Sequence, residues 1–282
     1  MSETGAGGDW LVVPHTPDRE AWRASAYQAA ADAGRVIFDW DLGGEADWSA
    51  RPILLTAHAA AALSMQSDVT RIAAVFGQLD VETSDCLSAP ERHERVRAVT
   101  DGFAQLHLLP QDRRFDSARF AGQALEVLPG LAVTPPPDRP AATGPLPAAL
   151  ELLRRNEAVW PAELLSWHSP PRRDGDKVYL DVTGRPRFLA FGPYVVLPAG
   201  RWTARFRMMV DDYASRYLFR VDWGGIEDYT AHEFRPGRAG LYDFEMTYDW
   251  SERAACEFRL VLREGAFHGE VALSDLSITR EA

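Results

Sequence analysis

Lysine is almost absent from this chain: Lys177 is the only one, and arginine supplies the rest of the 30 basic side chains. Acidic residues outnumber basic ones, with 41 aspartates and glutamates and a formal net charge of −11 among 282 residues. A protein that binds the phosphate backbone of nucleic acids normally presents a basic face. The charge balance therefore argues against a nucleic-acid partner.

Cysteines and long apolar runs are scarce as well. Cys86 and Cys256 lie far apart and form neither a C-x-x-C pair nor a metal-ligand spacing. No apolar run approaches the length of a membrane span, and the first residues, MSETGAGGDW, lack the basic and apolar segments of a signal peptide. We therefore predict a cytoplasmic protein without a membrane span. The hydrophobic content of 46% is that of a folded globular protein, and the length is enough for two domains.

Short apolar runs alternate with helix-like segments in the first part of the chain. Strand candidates are 10–14, 35–39, 52–56, 72–77, 104–109 and 124–128, and helix candidates are 17–33, 89–100 and 112–120. Strands that alternate with helices predict a parallel sheet with both faces covered. We therefore predict an α/β, Rossmann-like domain over residues 1–133.

The composition changes after this domain. Residues 134–170 begin with the proline-rich stretch TPPPDRPAATGPLP, which predicts a semi-rigid linker, and continue with a predicted helix over 148–160. From residue 171 to residue 282, about eight segments alternate apolar and polar side chains with a period of two. The predicted strands are 178–182, 187–197, 202–210, 217–223, 229–234, 240–248, 255–263 and 270–280. This pattern predicts an all-β domain, a jelly-roll β-sandwich.

Two segments of the β-domain carry a family resemblance. The first reads G-P-Y-x-x-L-P-x-G-x-W from Gly192 to Trp202, and the second reads G-x-V-x-L-S-D-L-x-I from Gly269 to Ile278. A sandwich that opens and closes in this way resembles the carbohydrate-binding-type modules attached to carbohydrate-active enzymes and bacterial glycosyltransferases. The resemblance covers residues 178–280 and implies a sugar ligand.

The end of the first domain is similar to one half of the glycosyltransferases built from two Rossmann-like domains. The similarity lies in the order of AQLHLL, a polar helix and ALEVLPGLAV. In that family the last segment often reads V-x-P-N-G-V-D, of which this chain keeps Pro129 and Gly130 without the asparagine and aspartate. The donor-binding second half of that family has no counterpart, because a linker and β-strands follow Val133.

Candidate catalytic residues of the first domain lie at predicted strand ends, where α/β sheets bind ligands. His15 follows the first strand, and His58 and His107 are similarly placed. Asp39 and Asp41, in the turn DWDLGG, resemble the D-x-D motif that binds a metal-bound diphosphate. No glycine-rich phosphate loop and no G-x-S-x-G elbow accompanies them.

Predicted ligand-binding residues of the β-domain combine aromatic rings with carboxylates, because sugars are bound by ring stacking and by planar polar groups. They lie in the loops around 223–229 and 248–253 and comprise Trp223, Glu227, Asp228, Tyr229, Asp249 and Trp250. Trp223 fits either a loop site or the core. The β-domain contains no asparagine, although that residue commonly reads sugar hydroxyls.

Asp275 in the last predicted strand matches one ligand of the structural calcium that some such modules hold, with Asp174 or Asp176 as its partner. Calcium is the only cofactor that the sequence suggests.

Three functions follow. The first is non-catalytic binding of a carbohydrate or polysaccharide by loops of the β-sandwich. The second is a glycosyltransferase-like enzyme that holds a sugar nucleotide near His15, Asp39 and Asp41. The third is an assembly protein, a homo-oligomer or a binder of a protein partner, in which an edge strand or the outer sandwich face, which bears Arg205 and Arg207, makes the contact.

Overall fold

The structure, a computed structural model, describes residues 8–77, 88–137, 147, 151–175 and 177–281. These residues form two compact units. The first unit comprises the described parts of Met1–Glu82 and Gly102–Ala142, and the second those of Thr83–Asp101 and Thr143–Ala282. No helix within the described ranges is both long and apolar enough to cross a bilayer.

The first unit contains a parallel sheet. Its strands are β1 (Asp9–Val12), β2 (Ile37–Asp39), β3 (Ile53–Thr56), β4 (Ile72–Phe76) and β5 (Arg114–Asp116). Its helices are α1 (Arg19–Asp32), α2 (Ala59–Met65) and the last part of α3 (Ala89–Leu106). The strand order is β2–β3–β1–β4–β5, and all pairs are parallel. The predicted parallel α/β sheet is confirmed, but this order differs from the 3-2-1-4-5 order of the nucleotide-binding fold.

Two predicted elements near residue 110 are wrong. The predicted strand 104–109 is the end of α3, because the buried residues Val96, Thr100, Phe103 and Leu106 recur at helical spacing. The predicted helix 112–120 is strand β5 between two short 3₁₀ turns. The predicted strand 124–128 exists as β6 (Leu125–Leu128), but it pairs antiparallel with β7 (Leu131–Val133) outside the parallel sheet.

The second unit is a β-sandwich, as predicted. Its elements are α4 (Leu152–Arg155), β8 (Glu157–Trp160), β9 (Ser166–Trp167), β10 (Arg172–Asp174), β11 (Lys177–Asp181), β12 (Arg187–Leu197), β13 (Gly200–Val210), β14 (Phe219–Gly225), β15 (Tyr229–Phe234), β16 (Gly240–Trp250), β17 (Ala254–Leu262), β18 (Glu270–Leu273) and β19 (Leu276–Arg280). One sheet has the order β10–β11–β18–β13–β19–β8, with β16 also paired to β13, and the other has the order β15–β14–β17–β12–β9.

Strand β13 shows how the sequence builds this sandwich. Trp202, Phe206 and Met208 point inward and are buried, whereas Arg205 and Arg207 alternate with them and are exposed. The two-residue period of the predicted strand is confirmed, because one face of a half-buried strand packs on the core and the other faces water.

The predicted helix 148–160 is wrong beyond its middle. Helix α4 ends at Asn156, whose φ of 61° is the left-handed conformation that terminates helices. The chain continues as β8, which pairs with β19, and β9 pairs with β12. Part of the predicted linker 134–170 is therefore sandwich structure.

The first part of α3 also belongs to the second unit. The hydroxyl of Thr100 accepts a hydrogen bond from the backbone N–H of Val196 at 2.9 Å. Arg253 pairs with Asp101 at 2.9 Å. Since the sequence places this helix in a domain over 1–133, the unit division differs from the predicted boundary.

Candidate functional site

The two tryptophans predicted to bind a ligand lie in the core. Trp223 and Trp250 are only 0% and 5% exposed, and the indole N–H of Trp223 donates to the carbonyl of Trp202 at 3.2 Å. The ring centroid of Trp223 lies 6.1 Å from that of Trp160 and 5.5 Å from that of Trp250. The prediction that Trp250 contacts a ligand from a loop is therefore wrong, and of the two positions open to Trp223 the structure shows the core, because both residues occupy inward positions of their strands.

The other predicted ligand-binding residues surround the β14–β15 hairpin or lie at the end of β16. Glu227, Asp228 and Asp249 are exposed, and Asp228 accepts a hydrogen bond from the hydroxyl of Tyr248 at 2.9 Å. Tyr229 is half-buried, with the guanidinium of Arg259 4.7 Å from its ring centroid. A ligand role of these four predicted residues stays a prediction.

A groove opens where the two sheets meet at one edge of the sandwich. Among the described strands, β15 pairs with β14 and β16 pairs with β13, so each has a second edge without a partner strand. These edges face each other, and the hydroxyl of Thr230 donates to the carbonyl of Thr247 at 3.0 Å. The groove between them has a volume of about 500 Å³.

Three rings line this groove in a continuous series. His232 lies nearly parallel to Phe234, with ring centroids 5.8 Å apart, and Phe234 lies 4.8 Å from Phe244. Phe244 in turn stacks on the buried Phe206 at 4.9 Å. Each ring of the groove occupies an inward position, but His232 is exposed and the two phenylalanines are half-exposed. The sandwich therefore leaves part of its aromatic core open to solvent at this edge.

Charged side chains border the groove, and each has a partner of opposite charge. Arg235 forms two hydrogen bonds to Glu264, at 2.6 and 3.1 Å, and these lower the pKa of Glu264. Asp243 lines the groove and pairs with Arg207 at 2.9 Å. The rim thus offers planar polar groups without an excess of either charge.

Arg205 and Arg207, predicted to make an assembly contact, are both paired within their own sheet. Arg205 lies 2.7 Å from Glu245 on the neighbouring strand, in the same way that Arg207 lies beside Asp243. The two arginines are therefore neutralised inside the chain.

Asp275, predicted as a calcium ligand, lies between β18 and β19. Its carboxylate accepts the backbone N–H of Ala162 at 3.2 Å. Asp174 ends β10, while Asp176 lies outside the described residues. Across the described ranges, no group of three or more His, Cys, Asp or Glu side chains is arranged to hold a metal ion, and calcium stays a prediction.

Asp39 and Asp41 form ion pairs and hydrogen bonds with other residues of the chain. Asp39 is buried, pairs with Arg23, and accepts the backbone N–H of Asp41 at 3.1 Å. Asp41 accepts hydrogen bonds from Arg19, from the hydroxyl of Thr56 and from the N–H of residue 57, at 2.9, 2.7 and 2.7 Å. The expected D-x-D role, in which both carboxylates bind a metal, therefore conflicts with their observed partners.

The predicted histidines have different positions. His15 and His58 follow adjacent strands, and their rings meet edge to face with centroids 5.8 Å apart. His107 follows the end of α3 rather than a strand. His15 and His58 lie at strand ends as predicted, but nothing in the sequence shows that the two rings touch.

The groove rings were missed because alternation alone assigns inward residues to the core. His232 and Phe234 alternate along β15 like any buried pair. Only the polar imidazole of His232 at an inward position signals that this face is accessible.

No protein-family model and no curated protein sequence matches the chain. Among solved structures, it is similar to TmCBM61 in complex with beta-1,4-galactotriose (15% identity, 45% of this chain and 84% of the other, TM-score 0.31). It is also similar to the C-terminal CBM6 of LamC from Zobellia galactanivorans (13%, 44% and 100%, 0.31). A third is the carbohydrate binding module CBM6cm-2 from Cellvibrio mixtus lichenase 5A, in complex with cellotriose (12%, 44% and 98%, 0.26).

Proposed function

We propose that the protein binds a neutral carbohydrate chain in the groove between β15 and β16. One observation carries the proposal: three accessible rings line the groove in series, bordered by charged groups whose charges are compensated. Sugar rings present C–H faces that pack on aromatic rings, while their hydroxyls bond to planar polar groups. The groove offers both kinds of contact side by side.

The balance of charge favours a neutral ligand over an anionic one. A single-stranded nucleic acid also stacks on aromatic rings, but it requires a positively charged groove along its backbone. Arg235 is matched here by Glu264 and Arg207 by Asp243. An anionic ligand would therefore meet as much negative as positive charge.

The size and the walls of the groove agree with a small polar ligand. Its volume of about 500 Å³ falls within the range of roughly 300–1,000 Å³ typical of small-molecule sites. The edges of β15 and β16 that face it carry backbone N–H and C=O groups, which can hydrogen-bond to hydroxyls. Backbone and side chains together supply polar contacts along the length of the rings.

Removing a ring from the groove should weaken sugar binding without unfolding the protein. We expect His232→Ala and Phe234→Ala each to raise the Kd for a bound oligosaccharide about tenfold, a loss at the lower end of the roughly 1–3 kcal/mol that alanine substitution costs where nucleic-acid bases stack on aromatic side chains. Calorimetric titration of the full chain with cellotriose and beta-1,4-galactotriose measures this effect. Polygalacturonate, an anionic polymer, should bind more weakly than either.

Phe267→Ala is the matched control, since this phenylalanine is 89% exposed and lies outside the groove. The Kd of the Phe267→Ala variant for each oligosaccharide should equal that of the unaltered protein. The proposal fails if neither oligosaccharide binds, or if the groove variants and the Phe267 variant bind equally well.

A further inference from the structure

His15 and His58 lie at the carboxyl ends of two neighbouring parallel strands in the first unit. His15 follows β1, His58 follows β3, and the register places Val12 beside Thr56. Both histidines are exposed. Because parallel strands end at one edge of the sheet, the two loops that carry them lie side by side.

The chain leaves these two strands in opposite directions. From β1 it runs through α1 to β2, past β3, and from β3 it runs through α2 to β4, past β1. Crossovers between parallel strands are right-handed in nearly all proteins, so α1 and α2 cover opposite faces of the sheet. Consistent with this, Trp22 and Ala26 of α1 pack in one cluster with Leu11 and Leu55.

Loops that diverge from adjacent strands leave a crevice at the sheet edge. In open α/β sheets, ligands bind in such a crevice, outside the carboxyl ends of the strands at the point where the direction of the crossovers changes. The connection after β1 runs towards β2, whereas the connections after both of its neighbours, β3 and β4, run the other way, so the direction changes on either side of β1. The touching rings of His15 and His58, 5.8 Å apart, lie on the β1–β3 side.

A fixed guanidinium, that of Arg19, lies close enough to His15 to act on its charge. The Nε of Arg19 donates to the carbonyl of Val13 at 3.2 Å, and one terminal nitrogen donates to Asp41 at 2.9 Å. The remaining oxygen contacts of Asp41 are with Thr56 and the loop after β3. Arg19 is therefore held in place before any ligand arrives, which reduces the entropy lost on binding.

The groups around His15 make its positive charge unfavourable in the empty crevice. Burial lowers the pKa of His15, and Arg19 and His58 lower it further, whereas Asp41 and Glu20 act in the opposite direction. These four residues are the charged or titratable groups that act on His15. Because Asp41 compensates the charge of Arg19, the net positive charge for an anion would come from the imidazoles, and an anion in the crevice would favour protonation of His15.

We propose that this crevice binds a phosphoryl group, with His15, His58 and Arg19 as its hydrogen-bond donors. Imidazolium and guanidinium N–H groups form charge-assisted bonds to phosphate oxygens, which are stronger than neutral bonds. A metal ion fits less well, because Asp41 is engaged by the protein and the described residues contain no cluster of three metal-ligating groups. The site is separate from the carbohydrate groove and does not depend on it.

Proton NMR of the histidine rings in the full chain tests this proposal. We expect inorganic phosphate and uridine diphosphate to shift the resonances of His15 and His58, and uridine to leave them unchanged. A much lower Kd for uridine diphosphate than for phosphate would support the proposal with a nucleotide as the source of the phosphoryl group. Equal Kd values would support it with free phosphate as the ligand.

Substitutions test whether each histidine donates a hydrogen bond to the bound phosphate. His15→Gln and His58→Gln should each weaken phosphate binding about tenfold, the loss expected for one hydrogen bond to a charged group. His168→Gln, at an exposed histidine of the second unit, should change nothing. Melting temperatures close to that of the unaltered protein would show that the variants fold.

Sulfate serves as a further test ligand, because its own charge stays constant with pH. The affinity of the protein for sulfate should fall as the pH rises through the pKa of His15, which lies below the ordinary histidine value of about 6.5, and this dependence should flatten in His15→Gln. The proposal is overturned if phosphate and uridine diphosphate leave both histidine resonances unmoved. It is also overturned if uridine shifts them as strongly as the diphosphate does.

Discussion

Replacing Arg259 by methionine is expected to lower the free energy of unfolding of the second unit by about 3–5 kcal/mol at neutral pH, the cost of removing one partner from a buried ion pair. Arg259 lies on β17, pairs with Glu257, and donates to the carbonyl of Ile226 at 2.6 Å. One of its terminal nitrogens lies 3.9 Å from a carboxylate oxygen of Asp222. The variant leaves the buried carboxylate of Glu257 without its cation, while Asp222 loses a more distant cation and keeps Arg220 at 2.9 Å.

The pH dependence of this effect has a definite sign. Burial raises the pKa of Asp222 above its ordinary 3.8, while Arg220 and Arg259 oppose that rise. A carboxyl with a raised pKa in the folded state contributes stability below its unfolded pKa and loses it as the pH rises through the folded value. Without Arg259 the pKa of Asp222 rises further. The difference in the free energy of unfolding between the variant and the unaltered protein should therefore shrink as the pH falls from 7 towards about 4.

Urea unfolding at several pH values, followed by tryptophan fluorescence, measures both parts of this prediction. Arg205→Met is the matched control, because Arg205 and its partner Glu245 form an exposed pair, and such pairs contribute about 0–1 kcal/mol. Equal stability of the two variants at neutral pH would contradict the prediction. A deficit of the Arg259 variant that grows on acidification would contradict its electrostatic cause.

Replacing Trp223 by alanine is expected to cost about 3–5 kcal/mol of stability, the usual range for truncating a large buried aromatic residue. Trp223 is fully buried, packs between Trp160 and Trp250, and donates its N–H to the carbonyl of Trp202. The substitution opens a cavity between the sheets and leaves that carbonyl without its donor.

Thermal and urea unfolding measure this loss, with Phe267→Ala as the control at an exposed position. Trp223→Phe keeps most of the ring volume and should fold, so it serves for binding measurements. Its Kd for an oligosaccharide should equal that of the unaltered protein, because Trp223 does not line the groove. A folded Trp223→Phe protein that no longer bound sugar would show instead that this residue contacts the ligand.

The regular strands could be predicted from sequence because their signal is local. The predicted segment 229–234 is β15 as observed, and the alternation of Trp202, Phe206 and Met208 places the inner face of β13 correctly. Neighbouring residues along a strand point to opposite faces. The alternation of apolar and polar residues along a half-buried strand therefore indicates which of its side chains face the core.

The predictions from sequence were wrong or left open where one local sequence pattern fits two different structures. An apolar run such as 104–109 suits a buried strand or the end of a helix equally well, and the rest of α3 decides between them. The same limit applied to Trp223, since an aromatic residue next to a glycine turn fits either a loop or the core. Its burial depends on the facing strands that carry Trp160 and Trp250.

By itself, the sequence determined the two kinds of architecture, the strands of the sandwich and the charge balance, because each depends on composition or on neighbouring residues. Tertiary structure alone decided which inward rings remain open to solvent and which strand ends meet. Phe234 and Phe244 form a groove because β15 and β16 face each other unpaired, and His15 meets His58 because their strands are adjacent in the sheet. Such contacts join residues far apart in the chain, so no local pattern encodes them.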